Sequence, residues 1–409
     1  MINTTLCYIE HDDCYLMLLR NKKKNDLNAQ KWIGVGGKFL PGETADDCLI
    51  REVWEETGLR LTSHEIVGVI KFISDIDEDE EMFLYKGLSF EGELIEDCPE
   101  GELHWIPKGE VLSLPTWEGD RYFLEPFIEG RKNLNMTVRY ENHELVEVID
   151  NTEPVKTLKS SIISSPHGFS TRVGGVSFGC FESLNLGMNR GDDPALVCEN
   201  WRRFLESADI DYEPFVYGKQ VHRNYVHTAS KEDAHFPCYE GEWIEADGIV
   251  TNKKNLALAI STADCVPVLL EDSQNGVIGA VHSGWRSTMA DIEGEAVSKM
   301  LSLGAKAATI KAAVGPAIEQ CCFEVGKEVI DAAKSLIGMA ADDCFYQKEN
   351  QKYMLDLKKV IKLRLIQLGL KAENIESVGE CTMCNPKTYY SHRYSNGSRG
   401  SLFSIIMMK

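Results

Sequence analysis

Apolar and polar residues alternate through Thr4–Arg20 on either side of His11-Asp12-Asp13, a pattern that predicts a β-hairpin. Leu61–Phe72, Met82–Phe90, His104–Ile106 and Thr137–Val148 predict further strands, and Arg121–Gly130 a helix. Lys22–Gln30 and the charge run Asp75–Glu81 read as solvated loops. Between the strands the period changes. Pro41-Gly42 breaks the chain, Thr44 can cap a helix from Ala45 to Thr57, and Gly58 ends it. Cys48, Ile50, Val53 and Trp54 are expected to supply that helix's packing surface.

Asn151–Ser161 is polar, contains Pro154 and reads as a linker. Beyond it, Leu256–Leu270 and Gly276–Val281 are short apolar runs suited to buried strands. Ser287–Leu303 and Leu355–Leu368 read as helices. No repeat recurs along the chain. Two mixed α/β (α+β) domains are therefore expected, over residues 1–150 and 162–409, with 151–161 between them.

Charge sharpens this division. The chain of 409 residues has a net charge of −21. Residues 1–150 hold 15 Lys and Arg against 32 Asp and Glu, and the remainder 28 against 32. Such an acidic surface argues against a nucleic-acid polymer or an anionic membrane as main partner, and leaves small phosphorylated molecules whose charge a metal screens. No apolar run reaches the roughly 18 residues of a membrane span and no signal-peptide pattern opens the chain, so a cytoplasmic protein is expected. The 13 cysteines then read as thiols. Cys381-Thr-Met-Cys384 lacks a second CxxC or a His pair nearby; it and Cys321-Cys322 read as neighbouring buried thiols.

Candidate chemistry begins on the Ala45–Thr57 helix. Glu52, Glu55 and Glu56 stand at i, i+3 and i+4 and project from one face. Like charges at that spacing repel, and a hard divalent cation with oxygen ligands is the natural counter-charge. The stretch GKFLPGETADDCLIREVWEETGL resembles the Nudix box at Gly37, Glu43, Arg51, Glu52, Val53, Glu55, Glu56, Gly58 and Leu59. KWIGVGGKF before it and LPTWEGDRYFLEPF after it are similar to segments of the MutT-type Nudix hydrolases. That resemblance implies an α/β/α sandwich and Mg²⁺-dependent hydrolysis of a nucleoside di- or triphosphate to monophosphate. It implies metal ligation by Glu52, Glu55, Glu56, the Gly37 carbonyl and Glu100, with one glutamate positioning water. It also implies base stacking on Trp117, with Glu118 and Asp120 reading the base edge. Ile33 stands where some oxidised-purine hydrolases have Asn, so no particular base is implied. Arg51 is expected to point away from the metal and pair with Glu55.

In the second domain His222, Cys265 and His282 each adjoin a short apolar run (QVH, TADC, AVH). Their separations of 43 and 17 residues fit no zinc finger, but two His and one Cys suit Zn²⁺ with an open position. QVH, ADC and VHSGWR, with SLNLG and YYSHRYSNGSRG, resemble the motifs of the YfiH/laccase-domain family, whose fold is an α/β sandwich. The resemblance implies His222, Cys265 and His282 as ligands of a central metal, Zn²⁺ or copper. It implies phosphorolysis of adenosine, inosine and methylthioadenosine, and deamination of adenosine. Asp264 is the acid/base candidate, Arg172 and Arg286 are candidates to clamp phosphate, and Asn185 is a substrate-side candidate. Copper oxidase chemistry is the poorer reading, because a laccase needs a further copper cluster and the chain has only 10 His with no HxH. Two rival readings stand beside this one: a second domain that edits a peptidoglycan precursor, and a first domain that only senses its ligand. The intact glutamate set speaks against pure sensing.

Overall fold

The structure is a computed structural model, and it describes residues 2–22, 28–177, 179–188, 190–237, 241, 243–349 and 351–409. The middle of the loop expected over Lys22–Gln30 lies outside the described residues. The chain divides into two compact units, Met1–Glu153 with Asp193–Glu199, and Pro154–Asp192 with Asn200–Lys409. No helix among the described residues is long and apolar enough to cross a membrane.

The first unit is built on an eight-stranded sheet in the order Trp32–Ile33, Cys14–Arg20, Ile2–His11, Glu80–Glu91, Arg60–Ser74, Leu134–Glu141, Glu144–Asp150. Gly101–Pro107 pairs with Cys14–Arg20 off this path. The predicted hairpin forms between Ile2–His11 and Cys14–Arg20, with Asp12 and Asp13 both at positive φ, as a tight two-residue turn requires. Thr137–Val148 is not one strand but two, turned at Asn142-His143, both at positive φ. Alternation along Ile2–His11 sends successive side chains to opposite faces. Tyr8 packs against Phe127 of the helix Asp120–Ile128, with ring centroids 5.2 Å apart. Thr5 instead meets Cys48 of the helix Ala45–Thr57 at 3.5 Å. The unit is thus an α/β/α sandwich.

In the second unit the apolar run Leu256–Leu270 is two strands, Ala257–Thr262 and Val266–Asp272, and they enter different sheets. One sheet runs Val216–Tyr217, Ala257–Thr262, Leu402–Met407, His167–Ser170, Thr157–Leu158. The other runs Val226–Thr228, Gly248–Thr251, Val277–Ser283, Val266–Asp272, Lys311–Val314, Ile375–Ser377. Phe169, Leu258 and Ile406 of the first meet Leu269, Ile278 and Ala313 of the second between the layers. Val268 and Leu270 point the other way, onto a core with Val297, Ile330 and Ile361 of the helices Ile292–Ser302, Lys327–Ile337 and Leu357–Gln367. Each such buried side chain contributes about 2 kcal/mol. The helix expected over Ser287–Leu303 is broken in two at Asp291. That residue has φ 67° and caps the second piece through Gly294. Thr157–Leu158, expected within the linker, is an edge strand.

Candidate active sites

Thr44 and Asp47 form a capping box at the start of the helix Ala45–Thr57, and Gly58 closes it at φ 72°. Ala45, Cys48, Leu49, Val53 and Glu56 lie on its buried line. Ile50 and Trp54 do not pack as expected. They stand about half exposed, because positions i and i+4 of the opposite face follow the charged side of the helix. Glu56 is only 5% exposed and accepts from the Gly36 N–H at 3.0 Å. Glu52 lies so close to Gly37 that a Cβ there would stand 2.5 Å from its carboxyl, so a larger residue at 37 would push that carboxyl aside. Glu55 is the outlier of the three, 58% exposed.

Arg51 also departs from expectation. It donates to both oxygens of Glu43 at 2.6 and 2.8 Å, to Glu52 at 2.6 Å, and to Glu55 at only 3.3 Å. Those bonds hold the Glu43 carboxyl down at about 2. The guanidinium therefore ties the loop before the helix to Glu52, rather than pointing away from it. The Gly37 carbonyl accepts from Thr5 N–H at 2.9 Å and, more weakly, from the Cys48 thiol at 3.5 Å, so a metal there would have to displace the thiol.

Glu52, Glu56, Gly37, Glu100, Trp117 and Asp120 line one cavity of about 510 Å³. Glu100 enters it ion-paired with Arg20. Trp117 is fixed by its indole N–H on Asn28 Oδ1 at 2.7 Å, with Lys31 Nζ 4.8 Å from its ring centre. Burial pushes the Asp120 carboxyl up to about 7, against the bond it accepts from Trp117 N–H. Asp120 can thus both accept and donate near neutrality. Glu118 is exposed and is not part of the cavity lining.

In the second unit the ligand atoms of His222, Cys265 and His282 lie within 4.8 Å of one another. Cys265 Sγ is 4.0 Å from His222 Nε2. Tetrahedral Zn²⁺ with ordinary bond lengths would separate such a pair by about 3.6 Å. A Cβ on Gly284 would stand 3.1 Å from the His222 ring and 3.2 Å from Cys265 Sγ, so glycine keeps this space open. Donor set and open space both fit a resident metal.

A residue that the sequence analysis did not single out, in the stretch ADGIVTN, organises the triad. Asp247 is wholly buried. It accepts from His282 Nδ1 at 2.9 Å and from the backbone N–H groups of Val221, His222 and Arg223 at 2.9–3.1 Å. One carboxylate thereby positions two ligands, leaving Nε2 of His282 for the metal. Burial would lower the His282 imidazole, but Cys265 and Asp247 outweigh it and raise it to about 9. Burial would raise the Cys265 thiol, yet the two imidazoles bring it down to about 6.

Asp264 turns the corner between the two sheets at φ 90°. Its oxygens accept from Thr382 Oγ1 and Arg393 N–H, each at 2.7 Å. Arg172 is committed elsewhere than expected. It donates to the carbonyls of Pro386 at 2.8 Å and Glu182 at 3.3 Å, and its guanidinium covers Tyr390. Asn185 is likewise fully buried and spent on structure, bonding Gly187, Ser401 and Asp192. Arg286 is exposed and stacks on Trp285 at 4.2 Å. Two arginines that were not singled out, Arg190 and Arg399, lie within electrostatic reach of each other. Arg399 carries a buried Nε without a partner, and lies within electrostatic reach of Arg190, Asp264 and Cys265. Arginine beside glycine, in SRG and NRG, was the only sequence signal for them.

A family model described as NUDIX domain matches residues 3–127, and one described as multi-copper polyphenol oxidoreductase laccase matches residues 166–409. A protein named purine nucleoside phosphorylase YlmD, from Bacillus subtilis, is 36% identical over 245 residues, which is 59% of this chain and 88% of that protein. One named adenosine deaminase RL5, from an unknown prokaryotic organism, is 30% identical over 253 residues, 60% of this chain and 95% of that protein. The crystal structure of the hypothetical protein YfiH from Bacillus licheniformis matches with a TM-score of 0.57 and 32% identity, covering 59% of this chain and 92% of that one.

Proposed function

This chain belongs, over residues 166–409, to the multi-copper polyphenol oxidoreductase laccase family and carries a NUDIX domain over residues 3–127, and from that premise we propose a two-site enzyme of nucleotide and nucleoside metabolism. The first unit hydrolyses a nucleoside di- or triphosphate to the monophosphate. The second cleaves adenosine, inosine and methylthioadenosine with phosphate and deaminates adenosine.

In the first unit Glu52 and Glu56 would hold Mg²⁺, which neutralises phosphate charge and activates water when bound. Glu55, at the rim, assists through Arg51. Trp117 offers an aromatic face to the base, and Asp120 an edge that both donates and accepts.

In the second unit His222, Cys265 and His282 would hold Zn²⁺, which supplies Lewis acidity at the nucleoside when bound. Asp247 keeps the imidazoles in place. Asp264, beside Cys265, exchanges a proton with the substrate. Arg190 and Arg399 offer the positive charge that phosphate needs next to a developing sugar cation, a part expected of Arg172 and Arg286.

The observation that carries this reading is the convergence of His222, Cys265 and His282 on the space that Gly284 leaves open. Chromatography of products from adenosine, with and without phosphate, tests it against His222→Ala. Phosphate-dependent adenine that disappears in the variant supports phosphorolysis. Inosine formed without phosphate supports deamination. Neither product from folded, zinc-loaded protein overturns the reading.

A further inference from the structure

Cys321, Cys322, Cys381 and Cys384 come together in the second unit, with all four Sγ atoms within 4.8 Å of one another. The sequence reading kept the two pairs apart as buried thiols, yet Cys321 and Cys384 are exposed. Parallel pairing of Lys311–Val314 with Ile375–Ser377 brings their following loops side by side, and an isolated parallel bridge joins Ala317 to Cys381.

We propose that these four cysteines form a second metal site, which takes a single tetrahedral thiophilic cation, Zn²⁺. Four sulfurs at ordinary Zn–S length would lie about 3.8 Å apart. Cys384 Sγ is 3.6 Å from Cys321 Sγ and 3.3 Å from Cys322 Sγ. An iron–sulfur cluster spreads its cysteines over several irons and needs a wider cage. The backbone is arranged for thiolate. Glu319 N–H points at Cys381 Sγ from 3.5 Å, and Asn385 closes the CxxC turn by donating to the Cys381 carbonyl at 2.9 Å. Four protein ligands leave no open position, so the site is structural.

Its place in the fold gives the site a task. Thr382, between the two CxxC cysteines, donates to Asp264 Oδ1, and Ile318 N–H, three residues before Cys321, donates to the Asp264 carbonyl at 3.0 Å. A cation held by both loops fixes both bonds and so positions Asp264 beside Cys265. This consequence rests on the proposed function; the metal site itself does not.

Metal content of the full-length protein, grown with zinc and desalted against a chelator, provides the test. Cys384→Ser and Cys321→Ser alter exposed positions and leave the core intact. Each is expected to lose one equivalent of zinc relative to wild type, with circular dichroism unchanged. His222→Ala is expected to keep that equivalent. With Co²⁺ the thiolate-to-metal charge-transfer band of a four-sulfur site is expected in His222→Ala and absent from Cys384→Ser. Equal zinc in wild type and both folded cysteine variants overturns the proposal. A Cys322–Cys384 disulfide in the zinc-loaded protein, mapped by mass spectrometry, overturns it equally.

Discussion

The buried carboxylate of Asp247 bonds His282 Nδ1 at 2.9 Å and, through the same oxygen, the backbone N–H of His222 at 2.9 Å. Two candidate ligands 60 positions apart in sequence thus share one anchor. Asp247→Asn keeps an acceptor but loses the charge opposite the imidazole. Zinc affinity is expected to fall about 10–100-fold, measured by competition with a chromophoric chelator, and nucleoside cleavage with it. Unchanged affinity would show that the anchor is dispensable.

Gly284→Ala tests the space between the ligands. The added Cβ would meet His222 and Cys265 at 3.1–3.2 Å, tighter than side chains tolerate without moving. Phosphorolysis is expected to drop at least about tenfold, while hydrolysis by the first unit is unaffected.

The three glutamates should separate by exposure. Glu56→Gln and Glu52→Gln are expected to cost nucleotide hydrolysis about a hundredfold or more, and Glu55→Gln markedly less. Equal losses at all three would place Glu55 among the metal ligands after all.

Asp120 makes stability depend on pH. Its carboxyl titrates near 7 in the fold against an ordinary 3.8, so the folded state holds a proton that the unfolded chain has released. Stability from this group is full below about pH 4 and is lost as pH rises to about 7. Asp120→Asn removes the penalty. Fluorescence-monitored urea unfolding is expected to show the variant and wild type alike at pH 4, and the variant ahead at pH 8 by on the order of a few kcal/mol.

Arg190→Ala and Arg399→Ala are expected to raise the KM for phosphate by roughly tenfold or more, with adenosine deamination changed little. An equal effect on both reactions would mean that the arginines support the corner rather than bind phosphate.

The first site was legible because most of it is local. One helix with its cap, its glycine stop and its glutamates occupies a single unbroken stretch, and propensity and spacing describe such a stretch well. Ile50 and Trp54 misled because apolar character was read without the helical phase. The second site is a product of topology. The run Leu256–Leu270 gives no hint in composition that it turns a corner at Ala263-Asp264-Cys265 and changes sheet. Asp247 and the paired cysteines act on partners tens of residues away, which only strand pairing brings near. Arg172 looked able to clamp phosphate and Asn185 stands in a motif of the family the stretch resembles, but glycine-rich loops also need internal polar partners, and both residues are spent there.

The corner at Asp264 joins a strand of one layer to a strand of the other with three residues between them. Leu258 and Leu269 pack across the same interlayer core that this crossing spans. The spacing of the layers therefore sets where Cys265 stands relative to His282. Interior packing and the geometry of the His–Cys cluster are geared to each other here. A methyl group missing from the interlayer core is expected to register first as slack between these two side chains, well before the protein unfolds.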